Sequence, residues 1–287
     1  MTITASAVPP ADSPRSSGLR RAYADTRFGQ LHYAEQGTGA TMLLLHQTPR
    51  SHDEFREVQP LLATGHRVIA MDMLGFGMSA PLPRPQTIEQ LAQGAFALLD
   101  ALGIASAVLI GHHTGAVVAV EMAASAPGRV DALVLSSSPW TNADYRASHA
   151  DGPGVDAATV AEDGAHLLEL WSLRRPYYPA GRPDLLDRFI RDALAPGVDP
   201  MEGHRACARY LMEDRIPLVT APVLLIGAEA DPFALPAVAK LQANLVNARS
   251  VDVTVIEDGT IPLMEQQPER VAQLVTDFLG RLGFLGR

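Results

Sequence analysis

Cysteine is almost absent: Cys207 is the only one in 287 residues, which excludes an internal disulfide and any multi-cysteine zinc site. Lysine is equally scarce, with Lys240 standing against twenty-two arginines. Arginine stays protonated at any working pH, so nearly all the positive charge is closed to Schiff-base or general-base chemistry. Positive charge is also outnumbered, leaving a net charge of −9. Such a balance provides no electrostatic footprint for a nucleic-acid backbone and no basic face for an anionic membrane. No run approaches the roughly 18 consecutive apolar residues that cross a bilayer. Residues 1–20 lack the apolar stretch of a secretory signal, and their Ser, Pro and Ala content reads as a disordered tail. A cytoplasmic protein is the expectation. What the chain does have is 47% hydrophobic residues against 19% charged, enough for one large domain with or without an inserted subdomain. Any catalysis must come from carboxylates, hydroxyls and nine histidines.

Residues 22–29 and 30–37 read as a hairpin with its turn at Phe28-Gly29. A strand–helix rhythm follows. Short continuous apolar runs at 41–46, 67–72, 107–111 and 131–136 have the character of strands buried on both faces. Helical patterns at 53–62, 87–102 and 114–126 separate them, the second opening with a capping signal at Thr87. Between 139 and 216 the rhythm stops, and helical pieces at 161–174, 183–194 and 202–213 alternate with Pro/Gly breaks. It resumes with strands at 222–227 and 250–257 and helices at 235–246 and 268–282. Alternating strands and helices predict a mostly parallel, doubly wound α/β sheet. The core is then 21–138 and 217–287, and 139–216 is a helical lid over the carboxyl ends of the strands, where such folds bind ligands.

The strand–helix junction Leu109-Ile-Gly-His-His-Thr-Gly-Ala116 carries the most information. Its Gly111-x-x-x-Gly115 frame matches a nucleophile elbow, in which glycines let strand and helix approach around one strained residue. Here the chain resembles the α/β-hydrolase superfamily, over everything after the tail. Leu45-His46-Gln47-Thr48-Pro49 stands where that family has its oxyanion loop, and Asp72-Met-Leu-Gly-Phe-Gly-Met-Ser79 matches its D-x-x-G-x-G-x-S run. Gly227-Ala-Glu-Ala-Asp231 matches the loop of the triad acid, and Asp258-Gly-Thr260-Ile-Pro-Leu-Met-Glu265 that of the triad histidine. The chain departs from the family pattern at two of the three triad positions. His113 stands where the family has Ser, Cys or Asp, and Thr260 where it has His. Asp231 keeps its expected identity, and Gln47 replaces a glycine. An acyl-serine mechanism needs a hydroxyl activated by a neighbouring imidazole, and neither is in place.

The substitutions read together as an imidazole moved across the site. His113 fills the space that Thr260 leaves, and Asp231 orients its ring directly, through the Thr260 hydroxyl, or through water. Such a His–Asp pair suits general acid–base work. The backbone N–H groups of Thr48 and Thr114 survive any side-chain change and remain as an oxyanion hole. The leading expectation is a cofactor-free, metal-free enzyme hydrolysing an ester, lactone or similar carbonyl compound with base-activated water. The resemblance also implies alternatives: lyase, isomerase or cofactor-independent oxygenase chemistry on the same base, or a ligand-binding protein without turnover. The expected pocket wall comprises Gln47, Trp140, Trp171, Tyr177, Phe233 and Met264, with Leu168, Tyr178 and Met73 near them. That lining favours a small apolar or aromatic substrate, with no nucleic-acid or membrane partner, and is compatible with a homo-oligomer. His112 is expected to pack inward and His46 to brace the oxyanion loop. His166 and His204 are left open between pocket and solvent. Glu229 and Glu265 read as solvated or capping, and Cys207 and Lys240 as remote from the elbow.

Overall fold

The computed structural model describes residues 18–149 and 156–284. Eight strands form one sheet: β1 (Arg20–Thr26), β2 (Gly29–Gln36), β3 (Thr41–Leu45), β4 (Arg67–Met71), β5 (Ala107–His112), β6 (Val130–Ser136), β7 (Val223–Ala228) and β8 (Val251–Ile256). Their order is β1-β2-β4-β3-β5-β6-β7-β8, with β2 antiparallel to both its neighbours, β1 and β4, and every other neighbouring pair parallel. The two-residue hairpin loop is Arg27-Phe28, one position earlier than expected, because Gly29 already pairs with Thr26 at φ +100. Of the expected tail, 1–17 lie outside the described residues, and Arg20 already opens β1.

The helices in chain order are α1 (Val58–Leu62), α2 (Ile88–Ala101), α3 (Thr114–Ser125), α4 (Ala143–His149), α5 (Ala165–Arg174), α6 (Pro183–Ala193), α7 (Glu202–Arg209), α8 (Met212–Arg215), α9 (Val238–Asn244), α10 (Leu263–Gln266) and α11 (Pro268–Arg281). The period of two along a strand divides the apolar runs between two faces. Leu43, Leu45, Leu109, Leu133 and Leu225 pack with α2, α3 and α9, whereas Met42, Leu44, Val108, Ile110 and Ile226 pack with α1 and α11. That is why these runs have no polar alternation. α3 is buried along all but its last residue, and its Ala, Gly and Val content lets it lie close to the sheet with α2 over it. Thr87 and Gln90 form a reciprocal capping box at the start of α2. The expected helix at 53–62 is broken into a 3-10 turn, His52–Phe55, and the short α1, since the Asp53 and Glu54 carboxylates are drawn into buried ion pairs and hydrogen bonds.

β6 and β7 are joined by α4 to α8, with no strand among the described residues of this insertion. It is not one unit. α5 and α6 share a small core of Leu170, Tyr178, Leu185, Leu186, Phe189 and Ala193, whereas Ala206, Cys207, Tyr210 and Met212 of α7 and α8 join the main core. Buried ion pairs fasten α6 to the core, Arg50 to Asp192 at 3.0 Å and Arg188 to Asp53 at 2.7 Å. No helix among the described residues is long and apolar enough to cross a membrane.

Candidate functional site

The turn from β5 to α3 is made by one residue. β5 is hydrogen-bonded through His112, α3 begins at Thr114, and His113 between them takes φ +47 and ψ −113. Conformations of this kind cost ~1–3 kcal/mol in a non-glycine residue and mark functional positions. Packing leaves no alternative at the flanking glycines. A Cβ on Gly111 would lie 2.3 Å from the Gly115 carbonyl oxygen, and one on Gly115 would lie 1.9 Å from that of Leu45. The elbow is pinned further by His113 N donating to Ser136 O at 3.0 Å.

The turn aims the His113 ring at Asp231, just beyond β7, with Nε2 2.9 Å from Oδ2. The Asp231 carboxylate is fully buried, and its Oδ1 accepts from the amides of Phe233 (3.0 Å) and Ala234 (3.2 Å). Burial pushes the Asp231 carboxyl up, but the His113 ring and the two amides outweigh it and leave it below its usual value. Although close, Nε2 and Oδ2 are not aligned for a good hydrogen bond, and neither has another partner. The contact is therefore chiefly electrostatic, of the kind that tightens once substrate is bound. Nδ1 of the same ring is neither bonded nor buried, and it is the nitrogen open to the cavity.

Thr48 and Thr114 both line this cavity, and the amide of neither has an acceptor among the described residues. Thr114 opens α3, where the first N–H groups of a helix have no intrahelical partner. Thr48 is set by its loop. Glu54 accepts both Gln47 N (2.8 Å) and Gln47 Nε2 (2.6 Å), while His46 Nδ1 donates to Gln47 O (2.8 Å) and its Nε2 accepts Met73 N (3.0 Å). Burial lowers the His46 imidazole to about 4, so it is a neutral brace. His112 does the same for the opposite wall. Its Nε2 donates to Ile261 O at 2.9 Å and its Nδ1 meets Ser136 Oγ at 3.0 Å. Burial and the adjoining His113 hold it down at about 3, far from any proton-transfer role at neutral pH.

The cavity in front of His113 measures about 300 Å³. Gln47, Thr48, His113, Thr114 and Phe233 line it as expected, and no serine does. Several other expectations need correction. Thr260 does not touch the His–Asp pair. Its hydroxyl and amide both bond Gln266 Oε1, at 2.5 and 2.7 Å, because α10 starts three residues later and brings that side chain back. Met264 is fully buried in the α1/α11 core, since α10 turns it toward the sheet. Trp140 lines a separate surface groove with Asn142 and Lys240, whereas Trp171 packs on the α5–α6 core. Tyr177 stands edge-on behind Phe233, ring centroids 4.8 Å apart, and accepts Ile261 N. Leu168 is exposed, and Tyr178 and Met73 are buried in the core. Cys207 is not remote. It lines the cavity with its Sγ 3.8 Å from Thr114 Oγ1, but burial pushes the thiol up to about 12, so it stays protonated and weakly nucleophilic.

Sequence reasoning missed Tyr145 and His149 of α4 and Arg174 of α5, which form the polar end of the cavity with His204 of α7, left open between pocket and solvent. Buried Asp156 holds two of them, accepting Arg174 Nε at 2.6 Å and His204 Nε2 at 2.8 Å. It also missed Glu265, which is fully buried in a two-point pair with Arg50 (2.8 and 2.9 Å) instead of being solvated. Glu229 is at the surface, accepting Asp258 N. His46, His112 and His113 do not converge on a metal. Among the described residues one triplet could hold an ion, His32, His52 and Asp72, with ligand atoms within 4.8 Å of one another. Both imidazoles already bond Asp72 there (2.9 and 2.8 Å), and the triplet does not line the cavity.

Comparison with known proteins agrees with this architecture. The chain is 26% identical to a haloalkane dehalogenase of Agrobacterium fabrum over 283 residues, covering 91% of this chain and 92% of that protein. It is 29% identical to a 2-hydroxy-6-oxononadienedioate/2-hydroxy-6-oxononatrienedioate hydrolase of Pseudomonas putida, covering 83% and 87%. Among solved structures, an epoxide hydrolase from an endophytic Streptomyces superposes with a TM-score of 0.75 at 22% identity, over 93% of this chain and 97% of that one. A sequence profile of the alpha/beta hydrolase fold matches residues 40–260. The chain belongs to the alpha/beta hydrolase fold family.

Proposed function

We propose that the protein is a cofactor-free hydrolase of small esters, lactones or similar carbonyl compounds, with His113 as general base toward water. The observation that carries this reading is the 2.9 Å contact of His113 Nε2 with Asp231 at the elbow, which leaves Nδ1 toward the cavity. A carboxylate beside Nε2 keeps the proton on that nitrogen, so the lone pair is on Nδ1. Water placed at Nδ1 gives up a proton as its oxygen attacks the carbonyl carbon. The amides of Thr48 and Thr114 receive the developing oxyanion, and Asp231 stabilises the imidazolium. Collapse of the intermediate expels the alkoxide, which takes the proton back from Nδ1. The products are acid and alcohol, and no bond to the protein is needed. The helical insertion acts as the lid that limits substrate size and excludes bulk water. Two of the three relatives above are named as hydrolases, and those names support reaction with water over elimination or isomerisation.

The test is a panel of small esters and lactones turned over in ¹⁸O-water by wild type and His113→Asn. General-base catalysis contributes about 10²–10⁴ in rate, so His113→Asn should lose at least a hundredfold in kcat. One ¹⁸O should enter each acid product. Wild-type turnover without ¹⁸O incorporation would mean lyase or isomerase chemistry, and unchanged kcat in His113→Asn would remove His113 from the mechanism.

A further inference from the structure

The chain is acidic overall, yet the side chains lining its cavity include one arginine, three histidines and no carboxylate. The acids stand behind this wall. Asp231 backs His113, and Asp156 backs Arg174 and His204, with both carboxylates fully buried. Arg174 is itself 95% buried, being 5% exposed, and lines the cavity. Its Nε and Nη2 are committed to Asp156. Nη2 also lies 3.4 Å from His204 Nε2. That nitrogen is only 2.8 Å from Asp156 Oδ2, where it must donate, so it offers Arg174 no acceptor. Nη1 has no partner at all among the described residues. A guanidinium in a cavity wall, held on one edge by a buried carboxylate and left unbonded but accessible on the other, offers a charged donor to whatever fills the cavity.

We infer that Arg174 is a specificity-determining residue that binds a carboxylate on the substrate through its free Nη1 side, so that the enzyme takes carboxylate-bearing esters or lactones. Asp156 fixes the plane of the guanidinium and holds His204 beside it. Pro139, Pro232, Phe233 and Ile261 add apolar wall to the cavity that Arg174 and His113 share. The substrate class is therefore a short apolar body with an anion at one end and the scissile carbonyl at the other. On this reading the small apolar or aromatic ligand expected from the sequence also carries an anion. The ester part of this statement rests on the hydrolytic reading above, whereas the anion part does not.

The anion site is tested by binding alone, with calorimetric titration of matched pairs, acetate against acetamide through phenylacetate against phenylacetamide. Wild type and His113→Asn should each bind the carboxylate of the best pair roughly tenfold or more tightly than its amide, the size expected of a charge-assisted hydrogen bond in a dry site. Arg174→Gln should bring the two ligands of that pair within about threefold while keeping the amide's affinity. Arg174→Lys should fall between, since it keeps the charge and loses the planar fork. Equal affinities in wild type, a preference that survives Arg174→Gln, or no binding by any pair would overturn the inference. Should neither variant fold, the wild-type pairs decide it. Carboxylate preference without hydrolysis of any ester would sink the hydrolytic reading and leave this site standing. Hydrolysis of neutral esters with no carboxylate preference would do the reverse.

Discussion

Glu265→Gln should destabilise the protein more than replacing Glu265 and its partner Arg50 together. Arg50 is completely buried, with Nη1 and Nη2 on the two Glu265 oxygens and Nε on Asp192 at 3.0 Å. Arg188 also reaches Glu265, at 3.1 Å. At 2.8 Å, with an effective dielectric constant of about 20, the Arg50–Glu265 attraction is roughly 6 kcal/mol before desolvation is charged against it. Removing one member of such a pair costs about 3–5 kcal/mol, because the other is left buried and uncompensated. At roughly 2–4 °C per kcal/mol, Tm should fall by about 6–20 °C. In Arg50→Met/Glu265→Met the remaining charges keep partners, Asp192 with Arg191 and Arg188 with Asp53 and Glu57, so the loss should be smaller than in Glu265→Gln. Urea unfolding of the three proteins at pH 7 measures both. Arg50 N also donates to Gln47 O at 2.9 Å, so Glu265→Gln should speed amide exchange at Gln47 and Thr48. A loss below about 1 kcal/mol in Glu265→Gln, or a double variant less stable than either single one, would refute the reasoning.

Two further outcomes follow from close contacts in the same region. A Cβ on Gly203 of α7 would fall 2.3 Å from Thr48 Oγ1, so Gly203→Ala should cost about 1–3 kcal/mol in urea unfolding. Adding Thr48→Gly, which removes the Thr48 Cβ (2.5 Å away) together with Oγ1 and Cγ2, should restore most of it, and an unperturbed Gly203→Ala would contradict the packing. Burial pushes the Asp156 carboxyl up, but Arg174 and His204 outweigh it and hold it at about 2, against an ordinary 3.8. A lowered carboxyl contributes stability that is full above the unfolded value and disappears as pH falls through the folded one. Asp156→Asn should therefore be less stable than wild type by about 2 kcal/mol at pH 6 and nearly equal to it at pH 2, as read by urea midpoints.

The parts of the molecule visible in the sequence are those decided locally. Residues 41–45 form a strand because both faces of a five-residue apolar run are covered, and the run itself says so. The elbow was legible because Gly111 and Gly115 are required by contacts only a few residues away or in the adjoining β3. Asp231 was legible from its place at the end of β7. What escaped reading is long-range charge pairing. Arg50 and Glu265 are 215 positions apart, and composition treats each as a surface residue. Thr260 was read as facing a vacancy, but a glutamine six residues later claims its hydroxyl. Met264 and Trp140 were assigned to the cavity from loop position alone, and loop position does not fix which way a short helix such as α10 turns its side chains.

The acidic composition and the basic cavity are two sides of one construction. A histidine or arginine facing a small cavity has no bulk water to stabilise its charge, so each needs a carboxylate within hydrogen-bond distance. Placing that carboxylate in the cavity would repel an anionic ligand and compete for the same donors. Asp231 and Asp156 avoid this by lying behind the ring and the guanidinium, where backbone amides or a second basic group satisfy them. The same placement orients each basic group, since the edge turned to the aspartate fixes the edge left for the ligand. His113 keeps Nδ1 toward the cavity for this reason, and Arg174 keeps Nη1. On the proposed readings, two buried aspartates behind the cavity wall thus set both the base and the anion contact.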